Sequence, residues 1–189
     1  MIASRASLFN QSLRCGLVLL LSVLTATQLQ AAELRLEGKL ILPYVLSQFS
    51  GALAASLLLR GLFPQHSTLG ATAPAGPALQ SLILEIVLTA LLMFVILNVS
   101  VGAKERGITA GIAVGSVIAL EALFAGPISG ASMNPARSFA PALVSQHVAY
   151  LWIYLVAPVT GALIAVVGCR CVRKDCCSVP LHGMIDHPS

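Results

Sequence analysis

Charged residues are scarce in this chain. Of its 189 residues, 10% are Asp, Glu, Lys or Arg, whereas 57% are hydrophobic. Soluble globular domains carry about a quarter charged residues, so this composition excludes an ordinary soluble domain and indicates a protein with several membrane spans. The net charge of +4 is informative only through the positions of Lys and Arg relative to the spans, and we expect no nucleic-acid partner.

Catalytic groupings are also missing. The sequence contains no carboxylate pair, no nucleophilic triad and no metal-ligand cluster, so we expect neither an enzyme, with catalytic residues, nor a bound metal or other cofactor. The polar side chains that interrupt the apolar sequence are few and isolated. Such residues in a membrane protein usually have a function, and they are the candidates considered below.

Four apolar stretches are long enough to cross a lipid bilayer. Each is close to the roughly 20 residues that span hydrocarbon as a helix. Open strands cannot satisfy their backbone hydrogen bonds in lipid, so all four are predicted to be helical. They cover residues 40–63, 79–101, 108–123 and 150–167.

Basic residues predict the orientation of these spans. Lys104 and Arg106 lie in the loop after the second span and mark that loop as cytoplasmic. Counting spans from this loop also places Arg173 and Lys174 on the cytoplasmic side. The C-terminus is therefore predicted to lie in the cytoplasm.

Residues 1–32 conflict with this orientation. Arg5 and Arg14 precede an apolar run and then a stretch of small residues, which is the layout of a secretory signal peptide. A cleaved signal would deliver residue 33 to the outside and invert every later span, so the two interpretations exclude each other. We expect 1–32 to be a signal-like or non-homologous N-terminal segment.

The stretch 126–142, GPISGASMNPARSFAPA, interrupts the apolar sequence. Its two glycines and Pro127 are expected to prevent a continuous helix. Asn134 followed by Pro135 then predicts the start of a short helix, because Asn is a strong N-cap and Pro suits the first helical position. Non-helical backbone persists at membrane depth only where it is buried in protein or lines a watery cavity, so this stretch is the candidate site.

The longer string LFAGPISGASMNPARSFAPA resembles the second signature loop of the aquaporins, the major intrinsic protein family. That family has two inverted repeats, each with two spans, a re-entrant loop carrying an Asn-Pro-Ala signature, and a third span. Residues 79–167 resemble the whole second repeat, and 40–63 resembles the last span of the first. The resemblance implies an all-α, aquaporin-like right-handed helical bundle with four full spans and one re-entrant half-helix. Its transmembrane domain would be 33–168, with a cytoplasmic tail at 169–189.

The first two spans of the first repeat, and its own Asn-Pro-Ala loop, have no match in the sequence. In the family two half-helices meet at the midplane, and both asparagines face the pore. We therefore expect an incomplete bundle, from a truncated or frame-shifted gene, a wrong start site, or a half-channel completed by another chain. Two functions stay open: a passive channel for water or small neutral solutes, and a non-conducting remnant or accessory membrane protein of the same fold. An intact member would be a homotetramer in the cell membrane.

The resemblance also implies roles for the signature residues. Asn134 would donate its amide N–H groups into a pore, so that a passing water cannot keep an unbroken hydrogen-bonded file. The positive end of the half-helix would oppose cations at the same place. Pro135 and Ala136 complete the signature.

Arg137 would belong to the narrow aromatic/arginine constriction of the family, with Ala122 and Ala131 as two further members. Water-selective members carry His at the position of Ala122, so the small side chain predicts a wider and less polar neck. Glycerol, urea or metalloid hydroxides then become plausible solutes. Glycerol-conducting members often carry Asp at the position of Ser138, which leaves the solute open.

The other wall of the pore would be a ladder of carbonyl groups from the extended segment 129–133, which includes Gly130 and Ser132. Glu85, early in the second span, would accept hydrogen bonds from the backbone of the re-entrant loop, as a glutamate at this place does in the family. Glu121 is left between two alternatives. It either points away from the pore into helix packing or tunes the entry of solutes.

Overall fold

The computed structural model describes residues 38–102 and 108–172. Within these ranges the chain is helical and contains no strand, and its elements are α1 (Gly38–Leu62), α2 (Ala78–Gly102), α3 (Ile108–Ser129), α4 (Pro135–Ser145) and α5 (Leu151–Val172). All of these except α4 are long and apolar enough to cross a membrane. The predicted all-α architecture, with four spans and one short helix, is confirmed. The segment 1–32 and the basic residues that predicted the orientation, Lys104, Arg106, Arg173 and Lys174, lie outside the described residues.

Helices α2 and α5 form the centre of the bundle. In their most apolar windows 39% and 44% of the residues are buried, against 6% in α1 and 17% in α3. The two helices approach closely at Gly161, where a Cβ atom would lie 2.4 Å from the carbonyl oxygen of Ile86. The absence of a side chain at Gly161 therefore lets the two backbones pack directly on each other, as small residues do between membrane helices.

The hydrophobic core lies between α2, α3 and α5. The segment between α3 and α4 contributes two of its side chains, Ala131 and Met133. Large apolar side chains also face outward, for example Leu58 on α1 and Leu123 on α3, which are 65% and 78% exposed. Lipid tails are as apolar as leucine, so an outward apolar surface suits a membrane-embedded bundle.

The stretch 126–142 is not one continuous helix, as predicted, but the break comes later than Gly126 and Pro127. Helix α3 continues through Gly126 and Pro127 to Ser129, six residues beyond the predicted end of the third span. Pro127 lies in the last turn with its ring exposed, so the helix loses one backbone hydrogen bond close to its end. The break comes at Gly130, whose φ of +89° takes the chain out of the helix, although its N–H still bonds to the carbonyl of Gly126 at 2.9 Å.

The remaining helix bounds agree closely with the predicted spans. Helices α1 and α2 begin and end within two residues of them. Helix α5 begins one residue late and continues to Val172, so the first residues of the segment 169–189 are helical.

Helix α1 is attached to the short helix α4 at two points. The rings of Phe49 and Phe139 meet edge to face with centroids 5.1 Å apart, a favoured aromatic geometry. At the end of α1, the guanidinium group of Arg60 donates to the carbonyl of His66 at 3.1 Å and to that of Val144 at 3.2 Å. A cation near the carbonyl end of α4 is favourable because that end of a helix is partially negative.

Candidate functional site

The short helix α4 begins at the Asn-Pro-Ala sequence. Asn134 has extended backbone (φ −149°, ψ 116°), and its Oδ1 accepts the N–H groups of Ala136 at 2.9 Å and Arg137 at 3.3 Å. Pro135 occupies the first turn of the helix, where its missing N–H has no intrahelical partner to lose. Because Oδ1 is committed to the helix, the Nδ2 group is the part of the half-buried Asn134 amide that remains to donate elsewhere.

Glu85 on α2 lies behind the segment that connects α3 to α4. Its side chain is fully buried. Oε1 accepts the hydroxyl of Ser129 at 2.7 Å and the backbone N–H of Ser132 at 2.9 Å, and Oε2 accepts the N–H of Met133 at 2.9 Å. Hydrogen bonds to the charged form satisfy a buried carboxylate, so these donors offset the cost of burying Glu85.

The sequence predicts an extended segment between α3 and α4, but the connecting segment is not extended in the structure. Gly130, Ala131 and Met133 have φ angles of +89°, +43° and +51°, which lie in the left-handed region. This conformation costs an ordinary residue about 1–2 kcal/mol, and Ala131 and Met133 adopt it without being glycine. The consecutive N–H groups of Ser132 and Met133 both donate to Glu85, and these hydrogen bonds hold the strained backbone in place.

Ser129 joins the end of α3 to both α2 and α5. It is the last residue of α3, and its carbonyl accepts the buried hydroxyl of Tyr154 on α5. Its own hydroxyl accepts the N–H of Ala131 at 3.3 Å and donates to Glu85.

A group of buried hydroxyls lies beside the start of α4. Ser132 and Ser138 are in direct contact through their Oγ atoms, and the Oγ of Ser132 also donates to the carbonyl of Asn134 at 2.9 Å. Thr72, from the loop 63–77, donates to the Oγ of Ser138 at 2.7 Å. The loop is fixed to the end of α3 as well, since the N–H of Ala75 bonds to the carbonyl of Ile128 at 2.9 Å.

The residues that the resemblance assigns to the constriction differ in how far their side chains are exposed. Arg137 is exposed, and its Nη1 lies 3.5 Å from the carbonyl oxygen of Gly130, at the outer limit of a hydrogen bond. Ala131 has its side chain buried in the core, so only its backbone can face a pore. Ala122 is exposed on α3.

Glu121 faces the packing between helices, which is the first of its two alternatives. It is 2% exposed, and among the described residues neither of its carboxylate oxygens has a hydrogen-bond partner. Burying a polar group without such a partner is costly. Glu85 and Glu121 are thus both buried, but the carboxylate of Glu85 accepts three hydrogen bonds, whereas that of Glu121 accepts none from the described residues.

Thr72 and Tyr154 belong to the site but were not found from the sequence. Thr72 contacts Ser138 from 66 positions away in the chain, and no spacing rule connects such residues. Tyr154 lies in an apolar span, where an isolated tyrosine gives no sign of its partner.

The comparisons with known proteins agree on one family. The family model described as "Major intrinsic protein" matches residues 23–168. This match begins inside the segment 1–32 of the domain prediction, which stays a prediction. Two relatives are 50% identical: "Aquaporin NIP1-4" of Oryza sativa subsp. japonica over 120 residues, 63% of this chain and 44% of the relative, and "Aquaporin NIP1-1" of Zea mays over 121 residues, 64% and 43%.

A longer match and a solved structure extend the comparison. "Aquaporin NIP2-1" of Oryza sativa subsp. japonica is 36% identical over 172 residues, which is 85% of this chain and 58% of the relative. The X-ray structure of the aquaglyceroporin from Plasmodium falciparum superposes with a TM-score of 0.61 at 20% identity, covering 82% of this chain and 68% of that one, which supports the fold. The chain spans about half the length of the curated relatives it matches. It is a multi-pass membrane protein and belongs to the major intrinsic protein family.

Proposed function

We propose that this chain forms the second half of a passive channel for water and small neutral solutes. The observation that carries the proposal is the half-helix α4, which begins at the buried Pro135, directly after a segment that buried hydrogen bonds to Glu85 hold in place. Its 11 residues correspond to about 16 Å at 1.5 Å per residue, roughly half of the hydrocarbon thickness. Membership of the family indicates a channel rather than an enzyme.

Asn134 and the helix end would act together on the permeating molecules. The amide Nδ2 donates to a passing water or hydroxyl, and the partial positive charge of the α4 N-terminus repels cations. The site would thereby pass neutral molecules that accept hydrogen bonds and oppose ions. Gly130 contributes a carbonyl to the same opening, and Pro135 and Ala136 fix the direction of α4.

Arg137 would line the neck of the channel together with the exposed Ala122 and the backbone of Ala131. Ala122 adds little bulk, so the neck would be wide enough for glycerol, urea or metalloid hydroxides besides water. The buried Ser138 is engaged by neighbouring hydroxyls and supports the loop without facing solute. The chain would reside in the cell membrane with its C-terminus in the cytoplasm, and an intact channel would be a homotetramer.

The test is a swelling assay on the full chain reconstituted in liposomes. We expect the permeability to water and to glycerol or boric acid to exceed that of empty liposomes. Arg137→Val should raise the permeability to the larger solutes relative to water, because the cation and bulk at the neck are lost. The matched control is Ser81→Ala, one turn before Glu85 on α2, which removes a buried hydroxyl with no partner among the described residues and should leave the permeability ratio unchanged.

A non-conducting member of the same fold is the second candidate. It is favoured by the described residues, in which α4 is the only half-helix. Under this alternative, liposomes with the chain swell no faster than empty ones, although the chain is folded and inserted. Swelling that appears only when a second aquaporin-like chain is co-reconstituted would instead support a half-channel that needs a partner.

A further inference from the structure

Three buried hydroxyl groups, those of Thr72, Ser138 and Ser132, lie in one hydrogen-bonded row that ends at Asn134. Their exposed fractions are 8%, 0% and 3%, so water does not replace these bonds. Thr72 comes from the loop 63–77, while the two serines flank the signature residue. The row therefore links a distant part of the chain to the position that would face the pore.

The direction of each bond in this row follows from the number of protons available. The hydroxyl of Ser132 has one proton and donates it to the carbonyl of Asn134, which can only accept. In the contact between the serines, Ser138 must then be the donor. Its proton is thereby used, so Ser138 accepts from Thr72. The order is Thr72 to Ser138 to Ser132 to Asn134.

The last three members, Ser138, Ser132 and Asn134, also close a ring. The backbone N–H of Ser138 bonds to the same carbonyl of Asn134 at 3.3 Å. That carbonyl is therefore held both by the first turn of α4 and by the Oγ of Ser132. Hydrogen bonds that point the same way polarise one another, so the donor at the start of the row strengthens the bonds at its end.

We propose that Thr72 is a positioning residue of the pore: by donating to Ser138 it fixes the carbonyl of Asn134, and so the direction of the Asn134 amide. The Cγ2 methyl of Thr72 is a separate feature: it fills the space beside Gly130, where an added Cβ atom would lie only 2.9 Å away, and the proposal does not depend on it. The inference rests on the proposed channel function for its effect on permeation, but not for its effect on the structure.

Two substitutions separate the hydroxyl of Thr72 from its methyl group. Thr72→Val keeps the shape of the side chain and removes the donor, whereas Thr72→Ser keeps the donor and removes the methyl. Hydrogen–deuterium exchange of the full chain in lipid nanodiscs then reports on the amides of residues 136–138, which bond to Asn134. We expect Thr72→Val to accelerate exchange there by about fivefold, the effect of one lost buried hydrogen bond, and Thr72→Ser to stay within about twofold of the parent chain.

Three outcomes would overturn the proposal. Exchange at 136–138 could be unchanged in Thr72→Val, it could rise equally in all helices of that variant, or it could rise as much in Thr72→Ser as in Thr72→Val. If Thr72→Val does not fold, Ser138→Ala removes the middle of the row and should give the same local acceleration; its failure to do so overturns the proposal too. If liposomes with the parent chain swell faster than empty ones, Thr72→Val should change the ratio of glycerol permeability to water permeability. Thr72→Ser should keep the ratio of the parent chain. A parent chain that does not conduct counts against the proposed function alone, because the exchange measurement still decides on Thr72.

Discussion

The carboxylate of Glu85 accepts the backbone N–H of Ser132 at 2.9 Å, across 47 positions of sequence. Together with the bonds from Ser129 and Met133, it gives a strained segment a fixed conformation in the interior of the bundle. Hydrogen bonds to a charged group contribute about 1.5–3 kcal/mol each, so this is the strongest attachment of the segment among those described.

Glu85→Gln should destabilise the chain, because the amide offers one acceptor oxygen and turns an N–H group toward N–H donors. We expect the free energy of unfolding to fall by about 2–4 kcal/mol, measured by thermal unfolding in detergent. Ser81→Ala, one turn away on α2, is the control and should change the melting temperature little, since the Ser81 hydroxyl has no partner among the described residues. Equal melting temperatures for Glu85→Gln and the parent chain would contradict the assignment.

Glu121→Leu should have the opposite effect. The Glu121 carboxylate is buried without a described hydrogen-bond partner, and replacing such a group by an apolar one of similar size recovers about 1–3 kcal/mol. The same measurement on Glu85→Leu provides the matched comparison, and the two variants should move the melting temperature in opposite directions. A loss of stability in Glu121→Leu would show that this carboxylate has a partner outside the described residues.

Gly161→Ala should separate α2 from α5. The added methyl group would lie 2.4 Å from the carbonyl oxygen of Ile86, and neither backbone can move aside without shifting the whole helix. We expect a loss of at least about 2 kcal/mol of stability, at the upper end for overpacking. Gly168→Ala on the same helix meets no atom within 4 Å and should be neutral or slightly stabilising, so a similar loss in both variants would argue against direct backbone contact.

Gly130→Ala tests the start of the re-entrant segment. The residue needs a φ of +89°, and its Cβ would lie 2.9 Å from the methyl carbon of Thr72, so we expect destabilisation of about 1–3 kcal/mol. Gly126→Ala, one turn earlier in α3 with nothing within 4 Å of its Cβ, should gain stability from helix propensity. Thermal unfolding of both variants checks the prediction, and a stable Gly130→Ala with unchanged amide exchange at 131–133 would refute it.

The start of α4 could be predicted from the sequence because its signals are local. Asn134 and Pro135 act on the next few residues, as an N-cap and as a first-turn proline, and the structure has the helix at this position. The spans could be predicted for a similar reason, since length and apolarity alone define them. The resemblance implied that Glu85 meets the backbone of the re-entrant loop, and its bonds to Ser132 and Met133 are of that kind.

The end of α3 was predicted six residues too early, because a helix-breaking residue costs less near the end of a helix than in its middle. Pro127 removes one backbone bond at a point where the chain leaves the helix three residues later, so its cost is small. The hydroxyl row was missed for another reason. Thr72 and Ser138 are brought together by the packing of a whole loop against α4, which no periodicity in either segment records.

The left-handed backbone at Ala131 and Met133 also restricts how this family member can change. Valine, isoleucine and threonine are strongly disfavoured at such φ angles, so branched side chains are barred from the two positions flanking Ser132. Under the proposed channel function, a different solute preference would therefore have to arise at residues with ordinary backbone, such as Ala122 in α3 and Arg137 in α4, and not at the two strained positions beside Ser132.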